Sequence, residues 1–384
     1  MENKKQENKG GLFDVYTLWD IEPVKAKGCK VWDENDTEYL DLYGGHAVIS
    51  IGHTHPHYAA MLKKQIDNIV FYSNSVQNNL QHELSEKLGD LSGYPDYSLF
   101  LCNSGAEANE NALKLASFQT GKKKVIAFNE AFHGRTSGAV AITDNPSIQA
   151  PFNMGHEVTF LPFNDIAAVE KALQTEDYAA VIFEPIQGVA GIFVAEVEFM
   201  KQLQALCNKH NVVLIADEVQ SGYGRTGKFF AHQYANIQPD IIVMAKGMGN
   251  GFPIGGILIS PKIDAKKGML GTTFGGNHLA CAAGIAVLDV IKEENLIENA
   301  VQLGDYIQEE LKGNRGIKAI RGQGLMIGIE LRPEYSELRN KLLFENHIFT
   351  GGAKNNVMRL LPPLSVSKEE VDIFINTFKK QTQQ

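Results

Sequence analysis

The stretch Ile241-Ile242-Val243-Met244-Ala245-Lys246 consists of five apolar residues followed directly by a lysine. A short apolar run rich in β-branched residues predicts a buried strand. A lysine at its end is unusual, because loss of hydration disfavours the charged amine and lowers its pKa. A free amine near neutral pH is what a Schiff-base lysine needs. The alternative is a structural lysine whose long side chain reaches solvent.

Six further apolar runs of strand length accompany this one, and helical patterns lie between several of them. The predicted strands are Ser98 to Leu101, Lys124 to Phe128, Val158 to Leu161, Ala179 to Phe183, Val212 to Ala216 and Gly256 to Ile259. The predicted helices are Ala106 to Gln119, Ile166 to Leu173 and Phe199 to Lys209. This alternation predicts an α/β fold, with a mostly parallel sheet covered by helices on both faces.

The pattern differs on either side of this middle region. A hairpin is predicted near the N-terminus, and two helices, a strand and a last helix follow residue 280. These elements are Lys30 to Asp33 with Glu38 to Leu42, then Leu279 to Glu293, Ile297 to Lys312, Leu325 to Leu331 and Lys368 to Lys379. We therefore predict a large domain over residues 51–275 and a smaller α+β domain over residues 276–384, which residues 1–50 join.

The composition narrows the class of protein. A net charge of −9 argues against nucleic acid as the main partner, because phosphate binding needs a basic surface. No apolar run approaches the roughly 20 residues that a membrane helix requires. Met1 to Gly11 is polar, has no apolar stretch of signal-peptide type and is expected to be a frayed tail. The four cysteines are far apart, which favours reduced thiols and a cytoplasmic location.

Two other strand ends carry residues suited to an anionic ligand. Ser104-Gly105-Ala106 follows the strand at Ser98 and opens a helix, where free backbone N–H groups form an anion site. The alternative is an ordinary helix start, in which Ser104 and Glu107 form a capping box. Asp217 follows the strand at Val212 and needs a partner there, which a protonated ring nitrogen, a metal or an arginine would supply.

Two patterns resemble other kinds of site but lack an essential part. Gly222 to Lys228 has P-loop spacing, yet Phe229 stands where the magnesium-binding hydroxyl belongs. His53, His55 and His57 have no cysteine or acidic ligand nearby. We therefore predict neither a nucleotide-hydrolysing site nor a metal site.

In combination, the motifs resemble the ornithine/acetylornithine branch of the class III pyridoxal-phosphate (PLP) aminotransferases, which have fold type I. The resemblance extends from Tyr39 to about Pro363, and its motifs occur in one order. They are Gly44-Gly45, Gly52-His53-Thr54-His55-Pro56, Asn103-Ser104-Gly105-Ala106-Glu107-Ala108, Phe132-His133-Gly134-Arg135, Glu184-Pro185-Ile186-Gln187-Gly188, Asp217-Glu218-Val219-Gln220, Gly224-Arg225-Thr226-Gly227, Ala245-Lys246-Gly247 and Thr272-Thr273-Phe274-Gly275-Gly276-Asn277.

The resemblance implies pyridoxal 5′-phosphate as cofactor and assigns its ring contacts. Lys246 would hold it through a Schiff base and then move the proton during catalysis. Asp217 would keep the pyridine nitrogen protonated, so that the ring acts as an electron sink. Gln220 would contact the 3-oxygen of the ring, while Phe132 and Val219 would lie against its two faces.

The same resemblance assigns the phosphate contacts. Ser104-Gly105-Ala106 would hold the phosphate of its own subunit. Thr273 would reach the phosphate of the neighbouring subunit. The active site would therefore require a homodimer.

Two arginines resemble carboxylate clamps for the substrates, because the planar guanidinium pairs with a carboxylate through two hydrogen bonds. Arg135 would hold the carboxylate of an acylornithine and Arg359 the α-carboxylate of glutamate, with Glu184 in the same substrate-binding set. Gly45 would leave room for an acylated amino group, which favours N-acetyl- or N-succinylornithine, as in arginine biosynthesis. The ω-amino group would pass to the cofactor, which would then convert 2-oxoglutarate to glutamate.

Two residues depart from the family pattern. His46 stands where acetylornithine enzymes usually have Ile, and we hypothesise that it helps to recognise the acyl group, including a succinyl carboxylate. Val189 stands where the family usually has a glutamate that pairs with the second arginine. We predict that Arg359 therefore stays available for carboxylates in both half-reactions.

The sequence leaves other activities open. An ornithine or 4-aminobutyrate aminotransferase would keep the chemistry and change the substrate. A mutase acting on glutamate semialdehyde would need no 2-oxoglutarate. A dimeric binding protein on the same fold would have no catalytic activity.

Overall fold

The computed structural model describes residues 11–175 and 177–383. The predicted polar tail lies outside the described residues except for Gly11. The N-terminal elements are β1 (Pro23–Lys27), β2 (Lys30–Asp33), β3 (Glu38–Asp41), a single turn α1 (Gly44–Ala47), α2 (Pro56–Asn68) and α3 (Asn79–Ser92). The three strands form an antiparallel meander, so the predicted hairpin is present as β2 and β3.

The middle of the chain forms a seven-stranded sheet in the order β4-β12-β11-β10-β7-β5-β6. Its strands are β4 (Ser98–Cys102), β5 (Lys124–Phe128), β6 (Val158–Leu161), β7 (Tyr178–Phe183), β10 (Val213–Asp217), β11 (Ile241–Met244) and β12 (Gly255–Ile259). The helices between them are α4 (Gly105–Thr120), α5 (Ser137–Ala141), α6 (Ile166–Thr175) and α7 (Val197–His210), and a small ribbon is formed by β8 (Ile186–Gln187) and β9 (Phe193–Val194).

Six of these seven strands run in the same direction, and β12 is antiparallel to both of its neighbours. The loop from β11 to β12 contains no crossover helix, and a parallel connection would need one. Each observed strand bound lies within one residue of its prediction. The predicted α/β fold with a mostly parallel sheet is confirmed.

Helices cover both faces of the sheet. Successive residues of a strand point to opposite faces, so each central strand contributes side chains to two cores. Val125 and Ala127 of β5 pack in one core with Ala112 of α4. Ile126 and Phe128 of the same strand pack in another core with residues of α6 and α7. Since the sheet is buried on both faces, its strands are almost continuous apolar runs, which explains why the sequence pattern located them.

The C-terminal elements are α8 (His278–Glu293), α9 (Leu296–Leu311), β13 (Ile317–Gln323), β14 (Met326–Leu331), α10 (Leu338–Phe344), β15 (Ile348–Phe349), β16 (Gly351–Ala353), β17 (Val357–Leu360) and α11 (Lys368–Gln383). Four of these strands form a sheet in the order β13-β14-β17-β16, whereas β15 pairs in parallel with β3. The N-terminal meander therefore shares a sheet with a C-terminal strand, in line with the predicted association of residues 1–50.

The division into domains stays a prediction. No helix in the described part of the chain is both long and apolar enough to cross a membrane.

Candidate active site

A cavity of about 470 Å³ lies at the carboxyl edge of the seven-stranded sheet, where ligands collect in open α/β folds. Residues that follow β4, β5, β7, β10 and β11 line it. Ten of the predicted site residues lie along its wall: Ser104, Gly105, Ala106, Phe132, Arg135, Glu184, Asp217, Val219, Gln220 and Lys246. Gly45, His46, Thr273 and Arg359 are not part of this wall.

Lys246 follows β11 with a φ of +47°, a left-handed conformation that is uncommon for a residue with a side chain. Its side chain lines the cavity. Burial lowers the pKa of Lys246, and the charge of Arg359 adds to this shift, while Asp217 and Glu184 oppose it. No hydrogen bond or ion pair joins its amine to another described residue. Lys246 is therefore an amine whose free form is favoured, as a nucleophile requires.

Asp217 is the last residue of β10, and its carboxylate is buried. Its Oδ2 lies 2.6 Å from Nδ1 of His133 and accepts a hydrogen bond from Nδ2 of Asn109 at 2.9 Å. Burial alone would raise the pKa of Asp217, but the hydrogen bond and charge of His133 outweigh it and hold this pKa below its ordinary value. Burial alone would likewise lower the pKa of His133, which its bond to Asp217 raises. Each side chain of the pair therefore opposes the effect of burial on the pKa of the other.

The start of α4 forms a cradle of small residues beside this pair. Oγ of Ser104 accepts a hydrogen bond from the Glu107 N–H at 3.2 Å, which is the expected cap. The Glu107 carboxylate accepts from the N–H of Asn103 rather than from that of Ser104, so the reciprocal bond of a capping box is not made. A Cβ at Gly105 would lie 2.9 Å from Val219. The first N–H groups of this helix have no intrahelical acceptor and adjoin the cavity.

Phe132, Val219 and Gln220 also line the cavity. The Gln220 side chain donates from Nε2 to the carbonyl of His46 at 3.2 Å. Its Oε1 is buried and has no hydrogen-bond partner among the described residues. An unpartnered buried oxygen is costly, so a ligand that donates to it would be stabilised.

Glu184 follows β7 and is buried beside the Asp217–His133 pair. Its carboxyl accepts hydrogen bonds from the N–H groups of Phe132 at 3.0 Å and Gly188 at 3.1 Å. Burial, with a contribution from Asp217, raises the pKa of Glu184 to about 7, although His133 opposes the shift. Glu184 therefore ties together two of the loops that line the cavity.

Arg359 lies in β17 and is buried, and its Nη1 donates to the carbonyl of Gly188 at 3.1 Å. Its Nε has no hydrogen-bond partner within the described chain. In residues 11–175 and 177–383, no carboxylate lies within ion-pair distance of this guanidinium. Val189, beside Gly188, is 37% exposed. The availability of Arg359 for a substrate carboxylate stays a prediction. Arg135, by contrast, is exposed at the cavity wall.

Gly45 and His46 lie in the turn α1, where Gly44, Gly45, His46 and Ala47 all have φ between +55° and +67°. This left-handed conformation is costly for His46 and Ala47. Asp41 stabilises the turn, because its Oδ1 accepts from the N–H of Gly44 at 2.8 Å. A Cβ at Gly45 would meet nothing within 4 Å, so the position faces open space.

Thr273 is exposed outside the cavity and adjoins an apolar surface. This surface includes the exposed Phe71, Tyr72 and Phe274, and the rings of Phe71 and Phe274 lie 5.4 Å apart. The contact of Thr273 with the phosphate of another subunit stays a prediction.

Sequence reasoning assigned no role to Asn109, His133 or Tyr43. Asn109 is a polar residue among the buried alanines of α4, and this is the one local signal that it contacts the site. The three histidines of residues 53–57 contact three different carboxylates, so they do not converge on a single point. The pairs are His53 with Asp41, His55 with Glu294 and His57 with Asp289.

A family model described as aminotransferase class-III matches residues 15–381. The acetylornithine aminotransferase of Archaeoglobus fulgidus is 40% identical over 370 residues, which cover 96% of this chain and 97% of that protein. The acetylornithine aminotransferase of Bacillus subtilis is 40% identical over 380 residues, with coverage of 96% and 97%.

A solved structure is similar over almost the same length. The ornithine aminotransferase of Toxoplasma gondii, crystallised in the presence of oxidised glutathione, has a TM-score of 0.88 and 32% sequence identity. The match covers 97% of this chain and 92% of that chain. That structure reveals partial occupancy of PLP at the active site.

Proposed function

The chain belongs to the class-III aminotransferases, a PLP-dependent family, and we propose that it transfers the terminal amino group of an N-acylornithine to 2-oxoglutarate. The observation that carries this proposal is the convergence of Lys246 and Asp217 on one cavity. Burial lowers the pKa of the amine there, whereas the hydrogen bond and charge of His133 hold the pKa of the carboxyl low. A pyridine-based cofactor requires both groups.

The residues that line the cavity fit pyridoxal 5′-phosphate. The cradle at Ser104-Gly105-Ala106 would hold its phosphate, since the N–H groups of a helix start bind anions. Asp217 would pair with the ring nitrogen, and Phe132 and Val219 would flank the ring. The Oε1 of Gln220, which lacks a hydrogen-bond partner among the described residues, would gain one in the hydroxyl group of the cofactor ring.

When bound, the cofactor would act as an electron sink for the carbon that carries the transferred amine. The Nζ of Lys246 would bind the cofactor, then take up and return the proton that moves during the transfer. His133 would help to keep Asp217 ionised, because its hydrogen bond and charge hold the pKa of this buried carboxyl low. Glu184 would hold the loop that carries Phe132 against the loop that carries Gly188.

The arginines support a substrate with carboxylates. Arg359, without an acidic partner in the described chain, would bind the α-carboxylate of glutamate or 2-oxoglutarate. Arg135 at the wall would bind the carboxylate of the acylornithine. The open space beside Gly45 would accommodate an acyl group. The acetylornithine relatives at 40% identity support this donor, and arginine biosynthesis is the pathway it implies.

The exposed apolar surface beside Thr273 supports a homodimer. Phe71, Tyr72 and Phe274 together expose aromatic area that a monomer would leave in water. In a dimer formed through this surface, Thr273 would contribute to the partner's phosphate site. The active site would then be complete only in the dimer.

A substrate panel tests the proposed function. The purified protein would be incubated with acetylornithine, succinylornithine, ornithine and 4-aminobutyrate, each with 2-oxoglutarate, and glutamate would be measured. We expect the acylornithines to have the highest kcat/KM. The second candidate is ornithine aminotransferase, which the Toxoplasma gondii structure favours. Highest activity with free ornithine would select that candidate and reject the acylornithine proposal.

A further inference from the structure

One side of α4 contacts the segment that carries Arg135. Residues 133–136 immediately precede α5, and Arg135 lies among them. Ala106 and Asn109 contact this segment, and Glu110 contacts the start of α5 directly after it. Residues three and four positions apart in a helix lie on the same side, so the three side chains act from one surface of α4.

Asn109 fixes the first residue of the segment. Its Nδ2 donates to the carbonyl of His133 at 2.7 Å and to Oδ2 of Asp217 at 2.9 Å. Oγ1 of the buried Thr143 accepts from the N–H of His133 at 2.9 Å. The start of the segment is therefore tied to the carboxyl group that would pair with the cofactor ring.

Gly134 lets the segment pack directly on α4. A Cβ at this position would lie 2.7 Å from Cβ of Ala106 and 3.0 Å from Cβ of Ala139. Its φ of +137° also favours glycine over residues with a side chain. The backbone just before Arg135 therefore packs against the predicted phosphate cradle with no side chain between them.

Glu110 holds the other end of the segment. Its Oε1 accepts hydrogen bonds from the N–H groups of Gly138 at 2.6 Å and Ala139 at 3.2 Å. These groups lie in the first turn of α5, where N–H groups have no intrahelical acceptor and Thr136 makes no side-chain cap. A Cβ at Gly138 would lie 2.6 Å from Oε2 of Glu110, so this close approach requires glycine.

Arg135 depends on this backbone for its position. Its side chain is exposed at the cavity wall. Among the residues that the structure describes, it has no hydrogen-bond or ion-pair partner. The course of residues 133–138 therefore places the guanidinium, and no side-chain partner does.

We propose that Glu110 is a positioning residue for Arg135 and so determines how well the carboxylate of the donor is recognised. Glu110 is half-buried and is not part of the described wall of the cavity that contains Lys246. It would therefore act on the substrate only through Arg135. Because α4 carries both Glu110 and the predicted phosphate cradle, this helix would set the distance from the cofactor to the carboxylate clamp. The inference rests on the proposed function, in which Arg135 binds the acylornithine carboxylate.

Two donors that differ in one carboxylate test this role. They are N-acetylornithine and N-acetyl-1,4-diaminobutane, which is the same molecule without its carboxylate. In ping-pong kinetics, kcat/KM for the donor reports the first half-reaction alone. It is measured for both donors in the wild type, Glu110→Ala and Glu110→Gln. Glu170→Ala, which changes an exposed residue of α6, is the control.

We expect Glu110→Ala to lower kcat/KM for acetylornithine at least about tenfold more than that for the carboxylate-free donor, because a displaced clamp binds its carboxylate poorly. Glu110→Gln keeps an oxygen that accepts hydrogen bonds and should give an intermediate ratio. The control should leave the ratio unchanged. A role confined to stability would lower both values equally, and that result would overturn the inference.

A double-mutant cycle with Arg135→Gln decides the matter even where the carboxylate-free donor reacts too slowly to measure. If Glu110 acts through Arg135, Glu110→Ala should lower kcat/KM for acetylornithine less than about twofold once Arg135 is replaced. Equal losses with and without Arg135 would overturn the inference. A wild type that uses ornithine or 4-aminobutyrate but neither acylornithine would instead reject the proposed function, and with it the premise of this inference.

Discussion

Nδ1 of His133 lies 2.6 Å from Oδ2 of Asp217, and both side chains are buried at the carboxyl edge of the sheet. His133 belongs to the loop after β5, whereas Asp217 ends β10. The hydrogen bond and charge of His133 keep the Asp217 pKa low although burial opposes this. A residue on another loop thus keeps the pKa of this carboxyl low. The same carboxyl would hold the protonated ring nitrogen of the cofactor.

His133→Asn removes the imidazole that contacts Asp217. We expect the Asp217 pKa to rise, because burial is then less opposed, and an opposite charge typically shifts a carboxyl pKa by about 1–3 units. The acidic limb of kcat/KM against pH should move upwards by about one unit. His82→Asn, at an exposed position of α3, is the control. Profiles that superimpose after scaling would show that His133 does not act through Asp217.

The raised pKa of Glu184 predicts a pH dependence of stability. Its folded pKa of about 7 exceeds the ordinary value of 4.5, so the folded state binds this proton more tightly than the unfolded state. The stability that Glu184 contributes should therefore be fully present below about pH 4.5 and be lost between about pH 4.5 and 7, by about 3 kcal/mol. Thermal midpoints at pH 5 and 8 test this in the wild type, Glu184→Gln and the exposed control Glu334→Gln. The decline should be smaller only in Glu184→Gln, and equal declines in all three would refute the assignment.

Val189→Glu places a carboxylate next to Gly188, whose carbonyl accepts from Arg359. We expect the new carboxylate to compete with substrate for the guanidinium. A competing pair worth about 1–2 kcal/mol would raise KM for 2-oxoglutarate about 5- to 30-fold. Val189→Gln, which has a similar shape and no charge, should leave KM nearly unchanged. Equal KM values in the two variants would mean that Arg359 does not bind this substrate.

Thr273→Val should weaken cofactor binding about tenfold through the loss of one hydrogen bond to a phosphate. If Thr273 acts across the subunit interface, dimers that combine one Thr273→Val subunit with one Lys246→Ala subunit will regain activity. In such a dimer one site combines an intact Lys246 with an intact Thr273. Subunits are mixed after mild dissociation, and cofactor titration and activity are measured. Thr377→Val mixed in the same way is the control. Absence of recovery would place Thr273 outside the partner's site.

The fold was largely predictable because its central strands are buried on both faces. Lys246 and Asp217 stand out since each directly follows an apolar run. The antiparallel direction of β12 was not predictable, because a buried strand has the same pattern in either direction. The short strands β15 and β16 also escaped prediction, as two or three residues carry no periodicity.

The polar contacts within the site were harder to predict than the elements that carry them. Asn109 meets Asp217 from a position 108 residues away, and His133 meets it from 84 residues away. Nothing in the local sequence specifies such a contact. Tyr43 likewise packs against Gly351, and Arg339 against Gly352, and no local pattern indicates either contact.

Lys246 is proposed to hold the cofactor and to move the proton during the transfer. The most direct test is multiple turnover of acylornithine and 2-oxoglutarate by Lys246→Ala, with Lys267→Ala as an exposed control. We predict that Lys246→Ala forms no glutamate beyond one equivalent per site while keeping the fold and the dimer. The wild type, but not this variant, should gain the mass of the reduced cofactor at residue 246 after borohydride treatment. Sustained turnover by Lys246→Ala would contradict the account.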